Sequence, residues 1–248
     1  MANYELGAAA IMVKDMETVA DTTVSDGTAG ISESVTTIPA ADTSSFPDTG
    51  IIKIEDEYIL YLEKDDTANE FKQCVRGLFG TTAAAHADAT TLSYYASGLG
   101  KTNGGVTITL NETNVELKTD QDGETPVDSR VTGTTVEMTA NLADIKLENF
   151  ALGFKQSITG DAGSRRLALK PNVGYSTQTN AKMVHIFPYA GGTSTIDTEI
   201  EHQYTMPSAG IIGAAELTFD ASTQRVIKTT FKGFPDASSE VLIVGKPF

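Results

Sequence analysis

Residues 105–155 read GVTITLNETNVELKTDQDGETPVDSRVTGTTVEMTANLADIKLENFALGFK, and this stretch decides the fold. From Val106 to Leu110 the chain alternates Val, Thr, Ile, Thr, Leu, the period-2 pattern of a strand with one wet and one dry face. After Asn111 the alternation resumes through Val115 and Leu117, with Glu116 and Lys118 expected on the other side. Residues 120–126 are polar and carry Gly123 and Pro126, a turn by composition. A second alternating run follows to Leu142, with Val136, Met138 and Ala140 on one face and Thr135, Glu137 and Thr139 on the other. A long antiparallel hairpin with one polar and one apolar face is the simplest solution.

The period then changes. Leu142, Ile145, Asn149 and Leu152 fall near helical spacing, and Leu147, Phe150, Ala151 and Phe154 widen the stripe. Asn141 is placed to cap this helix, with Asp144 in its first turn near the positive end of the dipole. The apolar stripe needs a sheet to cover. Further strands are expected at Arg166–Leu169, Met183–Tyr189, Glu201–Met206, Ile211–Phe219, Arg225–Phe231 and Val241–Val244, with Gly192, Pro207 and Pro235 in the loops between. Upstream, Ala8–Met16 reads as one more strand, and Gly98–Gly105 as a linker that lacks the spacing of a phosphate loop.

Residues 24–95 differ in texture. Gly, Ser and Thr open the segment, a hairpin is expected to turn at Glu55-Asp56-Glu57, and Phe71–Val75 gives another short strand. The expected fold class is therefore mainly β (α+β): a β core of two sheets or a closed sandwich with one helix, made from 1–23 and 96–248, and a small inserted β domain at 24–95.

Charge and cysteine content exclude several classes. Eighteen bases against 33 acids leave a net charge of −15, and the first 99 residues hold 16 of the acids and five of the bases. Such a chain repels phosphate, so a grip on nucleic acid through its backbone is not expected. Cys74 is the sole cysteine, and His86, His185 and His202 lie far apart, so neither an intrachain disulfide nor a zinc site is expected. No apolar run reaches the ~20 residues of a membrane span, and the start of the chain does not read as a signal peptide. Asp120-x-Asp122-Gly123 lacks the further ligands of a calcium loop and reads as an acidic turn. Cys74 with His86 reads as a buried thiol beside an unrelated imidazole, and Glu55 to Glu57 as a solvated hairpin tip. Arg165-Arg166, the one basic doublet, suits an acidic surface. No nucleophile, base and orienting group are assembled by any motif, so neither an enzyme nor a cofactor is expected.

Two stretches carry a resemblance. Residues 105–155 resemble the central part of the major tail tube proteins of tailed bacteriophages. Members show a strand, a DQ-x-G-x-P loop, a TG pair opening the next strand, and a helix ending LENLAxA(L/F). The matching residues here are Asp120, Gln121, Gly123 and Pro126, then Thr132 and Gly133, then Leu147-Glu148-Asn149-Phe150-Ala151. Residues 31–90 are similar to a small module that recurs in phage virion proteins. Its words T-x-I-P-V, FP-x-x-G-x-I, Y and C-x-RG-x-x-GT-x-AAAH match Thr37–Ala40, Phe46–Ile52, Tyr58 and Cys74–His86.

The resemblance implies a virion subunit, assembled in the bacterial cytoplasm, that forms homohexameric rings stacked into a tube with other phage tail proteins as partners. The hairpins would join edge to edge into a β-barrel, removing their exposed edges. Thr107, Thr109, Glu116, Thr135, Glu137 and Thr139 would face the lumen, past which DNA slides during ejection, and Lys118 would be neutralised by a nearby acid or lie at a ring edge. Residues 24–95 would sit on the tube exterior, dispensable for polymerisation. Two alternatives stand beside this reading. One is another ring-forming virion part (a tail terminator, baseplate or neck protein). The other is a carbohydrate-binding adhesin, against which the absence of tryptophan counts.

Overall fold

The computed structural model describes residues 8–16, 19–27, 29–160, 163–190, 195–217 and 225–248, the side chains of 214–217 excepted. The chain is mainly β, with one α-helix among the described residues. Strand β1 (Ala9–Lys14) is followed by β2 (Thr22–Thr23), β3 (Ile38–Pro39) and the hairpin of β4 (Gly50–Ile54) and β5 (Glu57–Tyr61). Next come β6 (Glu63–Asp65), β7 (Glu70–Lys72), β8 (Val75–Leu78) and β9 (Thr91–Gly98). The long strands β10 (Thr102–Leu117) and β11 (Asp128–Leu142) lead into helix α1 (Leu147–Phe154). After the short β12 (Ile158–Thr159) and β13 (Arg166–Leu167) lie β14 (Lys182–Pro188), β15 (Tyr204–Leu217), β16 (Ile227–Gly233) and β17 (Ile243–Val244).

One large sheet runs through the molecule in the order β10-β11-β16-β15-β14-β1-β9-β4-β5-β8, with β17 on β15 and β2 on β9, beside two small sheets, β12-β13 and β3-β7-β6. Three apolar clusters lie along it. Val136, Met138 and Ala140 of β11 share a cluster with Ile11 and Val13 of β1, four places away in the sheet, so this end curls round a common core. Met12 of β1 points the other way, into a second cluster with Ile51, Leu60, Phe79, Tyr95 and Phe187. Burial on both faces explains why Ala9–Val13 is continuously apolar rather than alternating. Beyond β4 and β5 a third cluster gathers Ile38, Phe46, Ile52, Tyr61 and Phe71.

Residues 24–95 thus own one apolar cluster and share another. Their strands are bonded into the main sheet, since β9 pairs with β1 through Met12↔Gly98 and with β4 through Ile52↔Tyr94.

The long hairpin stands where its alternation put it, with Thr107↔Thr139, Thr109↔Glu137 and Asn111↔Thr135 in register. The helix begins later than expected. Asn141 and Leu142 are the last rungs of β11, opposite Lys228 and Ile227, and Lys146 precedes α1 without any side-chain cap. Leu142 continues the buried series Val136, Met138, Ala140 as well as it starts a helical stripe, and the ladder to β16 settles the ambiguity. Phe150 and Leu152 pack on the curled core, so the helix does cover the sheet.

Expected strands 201–206 and 211–219 fuse into β15, and Pro207 lies inside it. The ladder to β14 slips there, between Lys182↔Ala209 and Val184↔Met206, and an irregularity of this kind tolerates a residue with no N–H to give. Phe219 and Gly192 lie outside the described residues. The linker at 98–105 shrinks to three residues between β9 and β10. Gly100 is held at φ +83°, and a Cβ there would lie 2.0 Å from the Asp144 carboxylate. Asn149 fastens the same corner, its amide donating to the carbonyls of Leu99 and Asp144, both at 2.9 Å.

Candidate functional site: the edge hairpin

Strand β10 ends the sheet, so its outer edge pairs with no strand among the described residues. Along its sixteen residues the outward-pointing half of the backbone donors and acceptors forms a template for another strand. Val106 and Ile108 lean on the core below, while Thr107, Thr109, Thr135, Glu137 and Thr139 share the opposite face.

Glu116 does not join them. Strand β10 is unbroken from Val106 to Leu117, and the one-residue slip after Thr113↔Gly133 falls on β11, between Gly133 and Val131. Strict alternation therefore puts Glu116 on the face of Val106 and Ile108. The expected shift at Asn111 does not occur, since Asn111 pairs with Thr135 in phase with its neighbours. Lys118 is held by Glu124 in the turn, Nζ to carboxylate at 2.7 Å.

The polar face is wider than the hairpin, a fact that no local pattern revealed. Strand β16 adds Lys232 opposite Glu137, Thr230 opposite Thr139 and Lys228 opposite Asn141, and the Thr139 and Thr230 hydroxyls approach to 3.3 Å. This face is consequently a field of hydroxyls with mixed charge rather than an acidic wall. In β16 the sequence IKTTFKG sends Ile227, Thr229 and Phe231 inward, and the lysines follow on the other side by period 2.

Past Val136 the hairpin leaves the body. Strand β16 covers β11 only from Glu137 to Leu142, so residues 111–117 and 128–135 form a two-stranded arm. Leu110, Val115, Leu117, Val127 and Val131 are exposed on or beside it.

A second constellation lies at the β4–β5 turn. Only Glu55 and Asp56 form the tip, with Glu55 at φ +51°, and Glu57 is buried rather than solvated. Its carboxylate receives Nε and Nη2 of Arg76 at 2.8 and 2.7 Å, the N–H groups of Gly77 and Ala84 at 3.0 and 3.2 Å, and Nε2 of His86 at 2.8 Å. The other ring nitrogen of His86 meets the Glu55 carboxylate at 2.8 Å. Burial opposes ionisation of Glu57, but the bonds from Arg76, His86, Ala84 and Gly77 outweigh it and hold the carboxyl below its ordinary range. The Arg-Gly pair and the distant histidine of the module thus meet on one carboxylate. The thiol of Cys74 is elsewhere, facing the Phe71 carbonyl at 3.4 Å, and burial pushes it up to about 12. The ring nitrogens of His86 meet Glu55 and Glu57, not this thiol.

Among the described residues no three His, Cys, Asp or Glu side chains group as a metal site, and no helix is long and apolar enough to cross a membrane. No protein-family model matches this chain, and no curated protein matches it.

Proposed function

We propose that this chain is a structural subunit of a phage tail tube, forming homohexameric rings that stack around a DNA channel. The observation that carries the reading is the position of the hairpin at the end of the sheet, one face on a core and the other polar, with a free sixteen-residue edge. An edge of that length in an isolated molecule invites pairing, and closure into a ring removes it without leaving a new edge. The curl of the sheet beside β10 gives the hairpin the curvature that a barrel wall needs.

In this reading the face of Thr107, Thr109, Thr135, Glu137 and Thr139, extended by Thr230 and the two lysines of β16, lines the channel. Threonine hydroxyls hydrate well and hold no phosphate by charge, and Glu137 offsets Lys232 directly across the ladder. Residues 24–95, at the opposite end of the sheet, lie on the exterior. Electron microscopy of purified protein at high concentration tests the reading. Tubes are the expected product. Isolated rings would indicate a terminator, baseplate or neck role, and a monomer at every concentration would overturn assembly altogether.

A further inference from the structure

The arm at 111–135 and the loop at 163–182 carry equal and opposite net charges, −4 and +4. The arm holds six acids and two bases. The loop holds four bases (Arg165, Arg166, Lys170, Lys182) and no acid, in a chain of net −15. Both also expose apolar side chains that the body leaves uncovered. Val115, Val127 and Val131 on the arm are 48%, 52% and 55% exposed, and Leu169 and Val173 on the loop 64% and 97%. Two strands without a third are marginal in water, and an arm of seven paired residues reaches roughly 24 Å beyond the covered ladder.

We infer that the arm docks on the loop of a second copy of this chain, placing Val131, which shares the face of Glu112 and Glu116, and Val127 at the turn against Leu169 and Val173, and the two carboxylates against Arg166 and Lys170. This rests on the assembly reading above and adds the contact that reading leaves open. Glu112 and Glu116 lie on one side of the arm by alternation and make no ion pair among the described residues. Arg166 and Lys170 likewise have no carboxylate partner among them, whereas Arg165 is already engaged by Glu148. The pairs still to be made are therefore those that a second molecule would supply, at a rim where apolar contact excludes water.

Singly substituted chains with different tags test the contact, one carrying Val131→Cys and the other Val173→Cys, mixed under mild oxidation and run without reductant. Cys74 is buried and its thiol stays protonated, so it does not compete. The expected result is a mixed disulfide between the two tags in preference to either homodimer, with Val127→Cys as a second reporter on the arm. Reversing Arg166 and Lys170 to Glu should lower the yield about tenfold, and adding Glu112→Lys and Glu116→Lys on the arm should restore it. Oligomers that form without the mixed disulfide at either reporter would overturn the docking and leave assembly standing. A chain that stays monomeric and uncrosslinked would overturn both.

Discussion

Glu57 and Arg76 meet in a two-pronged ion pair, Nε on one carboxylate oxygen at 2.8 Å and Nη2 on the other at 2.7 Å, with side chains 1% and 7% exposed. The fork geometry belongs to guanidinium, and Arg76 gives two further donors to the carbonyls of Ser32 and Ala84. One arginine therefore ties the β4–β5 hairpin to two loops. Arg76→Ala leaves Glu57 buried without its main counter-charge, a loss of about 3–5 kcal/mol, and Arg76→Lys should recover little of it. Urea unfolding of the purified variants measures both.

Acid should weaken the protein in two steps. His185 is fully buried among Phe79, Tyr95 and Phe187, with Nδ1 against the Thr205 hydroxyl at 2.9 Å, and burial pushes it down from 6.5 to about 3. The unfolded chain takes up this proton first, so stability falls as pH drops below 6.5, by up to about 1.4 kcal/mol per unit, until the folded state titrates as well. Glu57 is depressed, so its contribution is complete above its ordinary 4.5 and is lost as pH falls through its folded value. His185→Phe should flatten the profile between 6.5 and 4.5 and leave the lower step. An unchanged slope in that window would show that His185 is not the group responsible.

Gly100 sits at φ +83° against the Asp144 side chain. Gly100→Ala adds left-handed strain and a clash, for a loss of about 1–3 kcal/mol. Pairing it with Asp144→Ala removes the carboxylate but leaves the Cβ of residue 144 at 2.8 Å, so it should return part of the clash component and none of the strain, which thermal denaturation of the single and double variants resolves.

Removing residues 24–95 is expected to cost more than an inserted domain would. Ile51, Leu60, Phe79 and Tyr95 would leave Met12 and Phe187 bare, and Ala96 and Ser97, which pair with β1, would lose β4 from their other side. A version bridged by a Gly/Ser linker should therefore be insoluble or bind hydrophobic dyes. A soluble, cooperatively folding deletion that still assembles would show that the remaining core closes without it.

Within the channel reading, Glu137→Lys leaves three lysines and no acid among the described side chains of the polar face that face each other across β11 and β16. Virions with this change should assemble and release DNA more slowly at low salt, with the difference fading as salt rises. Glu116→Lys lies on the opposite face of β10 and should leave the release rate alone. Equal slowing by both would place them on one surface.

Much of this was legible in residues 105–142 alone. Strict period-2 alternation on two runs joined by a Gly-Pro turn fixes strand type, pairing partner and face, because a strand offers only two faces and a buried one tolerates no polar slip. The same rule misplaced Glu116 once a phase shift was assumed at Asn111, since only the hydrogen-bond ladder shows which strand carries the extra residue. Long-range partners were beyond local pattern. Lys228 and Lys232 reach the hairpin face across nearly a hundred residues of chain, and Glu57, read as one of three acids in a polar tip, is buried because Arg76 and His86 arrive from elsewhere to solvate it. Local periodicity determines which side of an element is dry. Only the tertiary structure decides what meets that side, because burial of a charge depends on partners brought together by the fold.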